Sequence, residues 1–223
     1  MRVLLAEDDR PLADALTAVL RDAGFSVDLA SAGDQADFLM RTETYDAAVL
    51  DLGLPVIDGL SLLRNWRDAG IAAPVLILTA RARWADKVAG FAAGTDDYVT
   101  KPFEPLEIVM RLQALIRRSH GEPNPVINVG TCSLDLNRGR LLVDGAPVAL
   151  TAQEYKLLAY LFLARDRVVS RTELVEHVYE RDCDPDSNVI DVLIGRVRRR
   201  IGREVIQTVR GRGFIVGSSG VDA

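Results

Sequence analysis

Ala47-Ala48-Val49-Leu50-Asp51-Leu52-Gly53-Leu54-Pro55 runs four apolar residues into one acid and then breaks. The same figure recurs along the first half of the chain. Val3-Leu4-Leu5-Ala6 leads into Glu7-Asp8, Val75-Leu76-Ile77-Leu78 into Thr79, and Tyr98-Val99-Thr100 into Lys101-Pro102. Each polar group closes a short stretch of strand-like sequence. Open parallel α/β sheets bind ligands outside the carboxyl ends of their strands, so these scattered residues are expected to converge on one pocket.

Between the strand signals lie amphipathic stretches. Strands are expected near 2–6, 26–30, 46–50, 75–79 and 97–100, and helices near 10–23, 34–43, 58–69, 84–93 and 104–118. Alternation of this kind reads as βαβ units wound around a buried, five-stranded parallel sheet, an α/β doubly wound fold. Gly24, Gly70 and Gly94 punctuate helix ends, and Asp58-Gly59 opens the third helix.

Three carboxylates crowded together (Glu7, Asp8, Asp51) repel one another unless a cation joins them. Oxygen-rich sites with room for water and phosphate suit Mg²⁺, with the backbone carbonyl of Gly53 as a further protein ligand. A strand-end aspartate is a candidate nucleophile, since carboxylates form aspartyl-phosphate intermediates. Lys101, one of only three lysines in the chain, would supply a fixed positive charge, and the Thr79 hydroxyl a hydrogen bond.

Glu7-Asp8-Asp9, Asp51-Leu52-Gly53-Leu54-Pro55, Asp58-Gly59, Thr79-Ala80, Asp96-Asp97-Tyr98 and Lys101-Pro102-Phe103 resemble the receiver domain of two-component response regulators. The resemblance implies that Asp51 accepts a phosphoryl group from a sensor histidine kinase. It also implies that Glu7, Asp8 and Asp51 bind Mg²⁺, and that Thr79 and Lys101 contact the phosphate.

The chain has 223 residues, a length that suggests two domains, with 48% hydrophobic residues and a net charge of −5. It has no apolar run long enough to span a bilayer and no signal-peptide pattern, so a cytoplasmic location and no membrane partner are expected. Cys132 and Cys183 lack metal or disulfide-framework spacing and read as packing or surface thiols. Ser119-His120-Gly121-Glu122-Pro123-Asn124-Pro125 marks a linker, dividing a first domain (1–119) from a second (127–223) across residues 120–126. Beyond it come short strands with an Asp144-Gly145 hairpin signal, then helices near 152–164, 171–179 and 187–201, and a last hairpin at 205–216. Thr151 and Glu154 form a capping box, and Ser187 is expected to cap the third helix.

The negative total hides a basic region. Residues 196–212 hold seven arginines against one acid, Glu204. Val189, Ile190, Leu193, Val197 and Ile201 recur at helical spacing as a buried stripe, leaving arginines on the rest of the surface. Three helices followed by a basic hairpin suggest a winged helix-turn-helix whose last helix has the width of the DNA major groove. Leu150-Thr151-Ala152-Gln153-Glu154-Tyr155, Ser187-Asn188-Val189-Ile190-Asp191-Val192 and Thr208-Val209-Arg210-Gly211-Arg212-Gly213-Phe214 are similar to the effector of the OmpR/PhoB family. That resemblance implies base contacts from Arg196, base or phosphate contacts from Arg198 and Arg199, and a minor-groove contact from Arg210. Arg200, Thr208 and Arg212 join this expected DNA-binding set, Arg212 through a phosphate. Gly195 stands where many members carry a polar or basic residue.

Phosphorylation is expected to draw in Thr79, let Tyr98 turn inward, and make the helix 84–93, strand 97–100 and helix 104–118 face self-associate as a homodimer. The resemblance implies that Lys87 with Glu107, Asp97 with Arg111 and Asp96 with Arg118 pair across that face, around an expected apolar centre of Val88, Phe91 and Met110. Ordinary pairing of these charges within one chain is the alternative. Promoter DNA is then expected as a direct repeat, and the acidic loop Tyr179–Asp186 as a contact for RNA polymerase or as a plain acidic turn. Trp84-Ala85-Asp86-Lys87-Val88 and Asp191-Val192-Leu193-Ile194-Gly195-Arg196 narrow the resemblance to one branch of the family. Kinases of that branch sense low divalent cations, acidity or cationic peptides, and its targets lie in envelope remodelling and virulence.

Two other functions compete. A Mg²⁺-dependent phosphohydrolase could use Asp51, but haloacid-dehalogenase-like phosphatases place a second acid two residues after the nucleophile, where this chain has Gly53. A phosphorylation-independent DNA-binding protein would be free to lose pocket residues, and none is missing here. A protein-only adaptor leaves the arginines of 196–212 as mere surface charge.

Overall fold

The computed structural model describes residues 1–80, 84–122, 124–178 and 188–217, with the side chains of 84–87 outside the description. It comprises two compact units, Met1–Ser119 and His120–Ala223.

In the first unit, strands β1 (Arg2–Ala6), β2 (Ser26–Ala30), β3 (Ala47–Asp51), β4 (Val75–Thr79) and β5 (Asp97–Thr100) form a parallel sheet in the order β2-β1-β3-β4-β5. Every residue of β1, β3 and β4 is buried, the pattern of strands covered on both faces. The covering helices are α1 (Arg10–Asp22), α2 (Gly33–Thr42), α3 (Gly59–Asp68), α4 (Trp84–Ala92) and α5 (Pro105–Ser119). All lie within a residue or two of the sequence expectation.

Local chemistry starts and stops these helices. Asp9 caps α1 by accepting from the Leu12 amide at 3.1 Å, and Asp58 caps α3 by accepting from the Ser61 amide at 3.1 Å. The Ser61 hydroxyl bond, with the cap amides, lowers the Asp58 pKa against the opposing effect of burial. Gly94 follows α4 with φ 93°, a backbone region that costs an L side chain strain. Between α2, α3 and the sheet, fully buried Trp66 anchors the core and donates from Nε1 to Asp37 Oδ1 at 2.9 Å.

Register aligns the strand ends. Ala6 pairs with Leu50, Asp51 with Leu78, and Thr79 with Thr100. Glu7 and Lys101 are the residues that immediately follow β1 and β5. The loop after Asp51 is pinned from below: the Gly33 amide donates to Pro55 O at 3.0 Å. Val56 sits at φ 71° inside a tight turn closed by the Ile57 amide on Pro55 O at 2.9 Å, a strained arrangement for a β-branched residue. Gly59 permits close approach of α3, because a Cβ there would lie 2.2 Å from Asp51 O.

The second unit opens with an antiparallel sheet, β6 (Val126–Val129), β7 (Cys132–Asp135), β8 (Arg140–Val143) and β9 (Ala146–Val148). Val126, assigned above to the linker, already pairs with Asp135 and so belongs to β6. Asp144 and Gly145 both take positive φ, as their hairpin turn requires. Helices α6 (Ala152–Leu163), α7 (Arg171–Val178) and α8 (Val189–Ile201) follow, then the hairpin β10 (Ile206–Val209) and β11 (Gly213–Val216). Thr151 and Glu154 make the expected capping box on α6. The α8 cap is Asn188, which makes no side-chain cap bond; Ser187, expected there, lies outside the described residues. An isolated bridge from Val169 to Phe214 ties the hairpin to the residues ahead of α7. Among the described residues no helix is long and apolar enough to cross a membrane.

Gly59→Ala is expected to destabilise the first unit by about 1–3 kcal/mol, the usual cost of forcing a methyl into packed backbone. Urea denaturation of the full chain measures it, and an unchanged midpoint would refute the close packing of α3 on Asp51.

Candidate functional site

The aligned strand ends bring Glu7, Asp8 and Asp51 together, each offering an oxygen within 4.8 Å of the others. Glu7 and Asp51 are buried and Asp8 is exposed. Lys101 reaches across from the end of β5. Its Nζ donates to Glu7 Oε2 at 2.7 Å and Oε1 at 3.0 Å, and to Asp51 Oδ2 at 2.5 Å. The second Asp51 oxygen, Oδ1, accepts from the Gly53 amide at 2.9 Å.

Burial pushes the Glu7 pKa up and the Asp51 charge adds to it, only partly offset by the bond from Lys101. Burial alone would lower the Lys101 pKa, but its bonds to Asp51 and Glu7 and their charges outweigh that and raise it. One ammonium thus faces three carboxylates, which leaves the pocket net negative. The donor set fits a hard divalent cation such as Mg²⁺, which Glu7, Asp8 and Asp51 would hold and which would neutralise charge on a transferring phosphoryl group. Thr79 is buried at the end of β4, beside this cluster in the sheet register. Tyr98 is half-buried on the edge strand, its ring covering Gly90, where a Cβ would lie 3.4 Å from Tyr98 Cδ2.

On the α4–β5–α5 face, Val88, Phe91 and Met110 are exposed. Leu106, four residues before Met110, is exposed beside it at 68%; the helical spacing in Leu106-Glu107-Ile108-Val109-Met110 could have revealed it. The charges of this face are engaged within the chain. Arg111 donates to Asp97 at 2.8 Å and to Glu107 at 2.7 Å, which raises its pKa. Asp96 pairs with Arg67 at 2.9 Å. Arg118 donates to Ala114 O, and the Lys87 side chain lies outside the described residues. Arg67, absent from the sequence expectations, is a hub: it also donates to the carbonyls of Gly94, Ile71 and Ala73.

In the second unit α8 buries Ile190, Leu193, Ile194, Val197 and Ile201. At about 100° per residue the opposite face carries Val192, Gly195, Arg196 and Arg199. Arg196 and Arg199 are exposed there. On the flanks two more of the arginines expected at DNA bond within the domain. Arg198 turns to the hairpin, donating to Ile206 O at 2.9 Å and Thr208 Oγ1 at 2.8 Å, with its guanidinium 5.9 Å from the Phe214 ring. Its pKa falls, chiefly through burial. Arg200 turns to the other side, onto Ala149 O at 2.6 Å and Glu154 at 3.3 Å. Both guanidiniums therefore bind their own domain, because carbonyls and a buried carboxylate lie within reach on either flank. Arg171, which sequence reasoning missed, forks onto Asp191 with two bonds of 2.9 Å and also lies over the Phe214 ring, at 5.1 Å. Arg210 and Arg212 are exposed at the hairpin turn. The acidic residues 179–186 lie outside the described residues.

A family model described as response regulator receiver domain matches residues 3–113, and one described as transcriptional regulatory protein, C terminal, matches residues 145–216. The chain is 45% identical over 219 residues to the two-component response regulator PhoP of Pseudomonas aeruginosa, covering 96% of this chain and 97% of that protein. It is 42% identical over 219 residues to the transcriptional regulatory protein PhoP of Escherichia coli, covering 96% and 98%. The first unit is similar in structure to the receiver domain of the Francisella response regulator 1452. The TM-score is 0.52 and the identity 37%, with 53% of this chain and 98% of that one covered.

Mg²⁺ is expected to raise the melting temperature by mass action, by the equivalent of about 2.7 kcal/mol at a hundredfold excess over Kd. Asp8→Asn should remove most of that gain. Lys101→Met should enlarge it, since the ammonium no longer neutralises the carboxylates. Differential scanning calorimetry with and without Mg²⁺ checks both, and an equal gain in all three proteins would exclude this pocket.

Proposed function

Since the chain belongs to the OmpR/PhoB-type response regulators, with a receiver and a DNA-binding domain, we propose that phosphorylation of Asp51 by a sensor histidine kinase switches its DNA binding. It is a regulator and not an enzyme, which removes the phosphohydrolase alternative. The observation that carries the reading is Lys101 bridging Glu7 and Asp51 at aligned strand ends.

In the proposed transfer, Asp51 Oδ2 attacks phosphorus, the N–P bond of a phosphohistidine breaks, and the imidazole leaves. A bound Mg²⁺, held by Glu7, Asp8, Asp51 and the Gly53 carbonyl, would neutralise phosphoryl charge. Lys101 follows the new dianion, the Gly53 amide and the Thr79 hydroxyl bond its oxygens, and Tyr98 moves inward as Thr79 shifts. The α4–β5–α5 face then self-associates about a two-fold axis. Because Arg111, Asp97, Glu107 and Asp96 already have partners in the monomer, exchanging those ion pairs, with Lys87 and Arg118, contributes register more than energy. The driving force comes from Val88, Phe91, Leu106 and Met110.

The effector takes promoter DNA as a direct repeat with half-sites about one helical turn apart, and dimerisation raises affinity by effective concentration. Arg196 and Arg199 on α8 and Arg210 and Arg212 on the hairpin are the contacts proposed here, with Arg198, Arg200 and Thr208 holding α8 and the hairpin in place. The similarity to PhoP proteins supports a PhoQ-like kinase, cytoplasmic action, low-divalent-cation, envelope-stress and virulence targets, and contact with RNA polymerase through residues 179–186.

Beryllofluoride with Mg²⁺ should convert monomer to dimer and tighten binding to a direct-repeat duplex, and Asp51→Ala should do neither. Sedimentation and fluorescence anisotropy measure the two effects; a switch that survives in Asp51→Ala would sink the mechanism. Arg111→Glu should abolish the dimer while leaving phosphorylation intact, and unchanged dimerisation would exclude this face.

A further inference from the structure

Gly195 lies in the middle of α8, where glycine weakens a helix relative to alanine. Most of the described glycines have an internal reason. At Gly33, Gly59 and Gly213 a Cβ would meet backbone at 2.0, 2.2 and 2.0 Å. Gly70, Gly145 and Gly211 have open surroundings but positive φ. Among the described glycines with open space where a Cβ would stand, Gly195 is the one without a positive φ: it lies within a helix, and a Cβ there would meet nothing within 4 Å. Neither packing nor backbone conformation within the domain calls for a glycine.

The missing side chain falls on the face of α8 that the domain leaves to solvent. Val192, Arg196 and Arg199 stand three residues before, one after and four after Gly195, and Val192 is 52% exposed although apolar. On the flanks Asp191, Arg198 and Arg200 are held by Arg171, the hairpin and Glu154. What remains is a narrow stripe with a dip at its centre, an apolar wall on one side and, on the other, two exposed guanidiniums without a partner among the described residues.

We propose that Gly195 is the point where the α8 backbone comes closest to the floor of the DNA major groove, with Val192 beside it against the methyl group of a thymine. The inference rests on α8 being the helix that enters DNA. Glycine permits backbone to approach a ligand more closely than any side chain allows. The thymine C5-methyl is the apolar feature of the major groove, which exposed aliphatic side chains contact. The two guanidiniums fix the helix to guanine edges or phosphates around that contact.

The test uses the full chain and a duplex that the wild-type protein selects from a random pool. Gly195→Ala should melt higher than wild type, because helix propensity improves and nothing clashes, yet bind that duplex roughly tenfold more weakly, a loss like that of one mismatched base pair. One thymine per half-site should be sensitive to deoxyuridine, which lacks only the methyl, for wild type but not for Val192→Ala. Gly195→Ala binding as tightly as wild type or tighter, or wild-type affinity indifferent to deoxyuridine at every thymine, overturns the proposal. Arg196→Ala separates this from the premise: if it leaves affinity unchanged, α8 itself is not the reading helix.

Discussion

A single ammonium group set between two buried carboxylates is the interaction on which the receiver half depends. Glu7 and Asp51 are too close and too well buried to be charged together without compensation, and Lys101 supplies it. The arrangement is possible only because strand register brings residues 7, 51 and 101 to one edge of the sheet. It is also incomplete, since the third carboxylate, Asp8, remains exposed beside them. A site held together by one movable cation is suited to exchange. A metal ion or a phosphoryl group would change the local charge balance, and in the proposed mechanism Lys101 follows the new charge. Such a local electrostatic event needs a two-state element to read it out, and Thr79 and Tyr98 are placed on the neighbouring strands for that role in the proposed mechanism.

The effector domain solves an opposite problem, an excess of positive charge on one short helix. Position around α8 decides what each arginine does. Those at the edges of the buried stripe find carbonyls, a hydroxyl or Glu154 within hydrogen-bond distance, and local bonds hold them. Those opposite the stripe are exposed and have no partner among the described residues. Phe214, in contact with both Arg171 and Arg198 and bridged to Val169, links the helix, the residues before α7 and the hairpin into one unit. Charge that looks uniform along the sequence is thus divided between holding the domain together and facing outward.

The α4–β5–α5 face shows why ion pairs alone say little about assembly. Arg111 can bond Asp97 and Glu107 of its own chain with good geometry, so transferring those bonds to a second copy would gain little free energy. Exposed Phe91, Leu106 and Met110 have no such alternative in the monomer. In the proposed dimer the apolar patch would therefore supply the reason to associate, and the charges the register.

Much of this was legible in the residues. The apolar runs and the helical patterns located the strands and helices to within a residue or two, because burial on both faces demands unbroken apolar strands. Polar residues at the ends of those runs marked the pocket, since parallel sheets place such ends together. Motif spacing identified the family across nearly the whole chain. The tertiary structure alone decided which side chains would be diverted. Arg198 and Arg200 look equivalent to Arg199 in sequence, yet their partners come from Ile206, Thr208, Ala149 and Glu154, and Arg67 finds Asp96 twenty-nine residues away. Helical periodicity tells which way a side chain points. It carries no information on which distant carbonyl or carboxylate the folded chain will bring within 3 Å of it, and that distance decides whether a charge faces outward or inward.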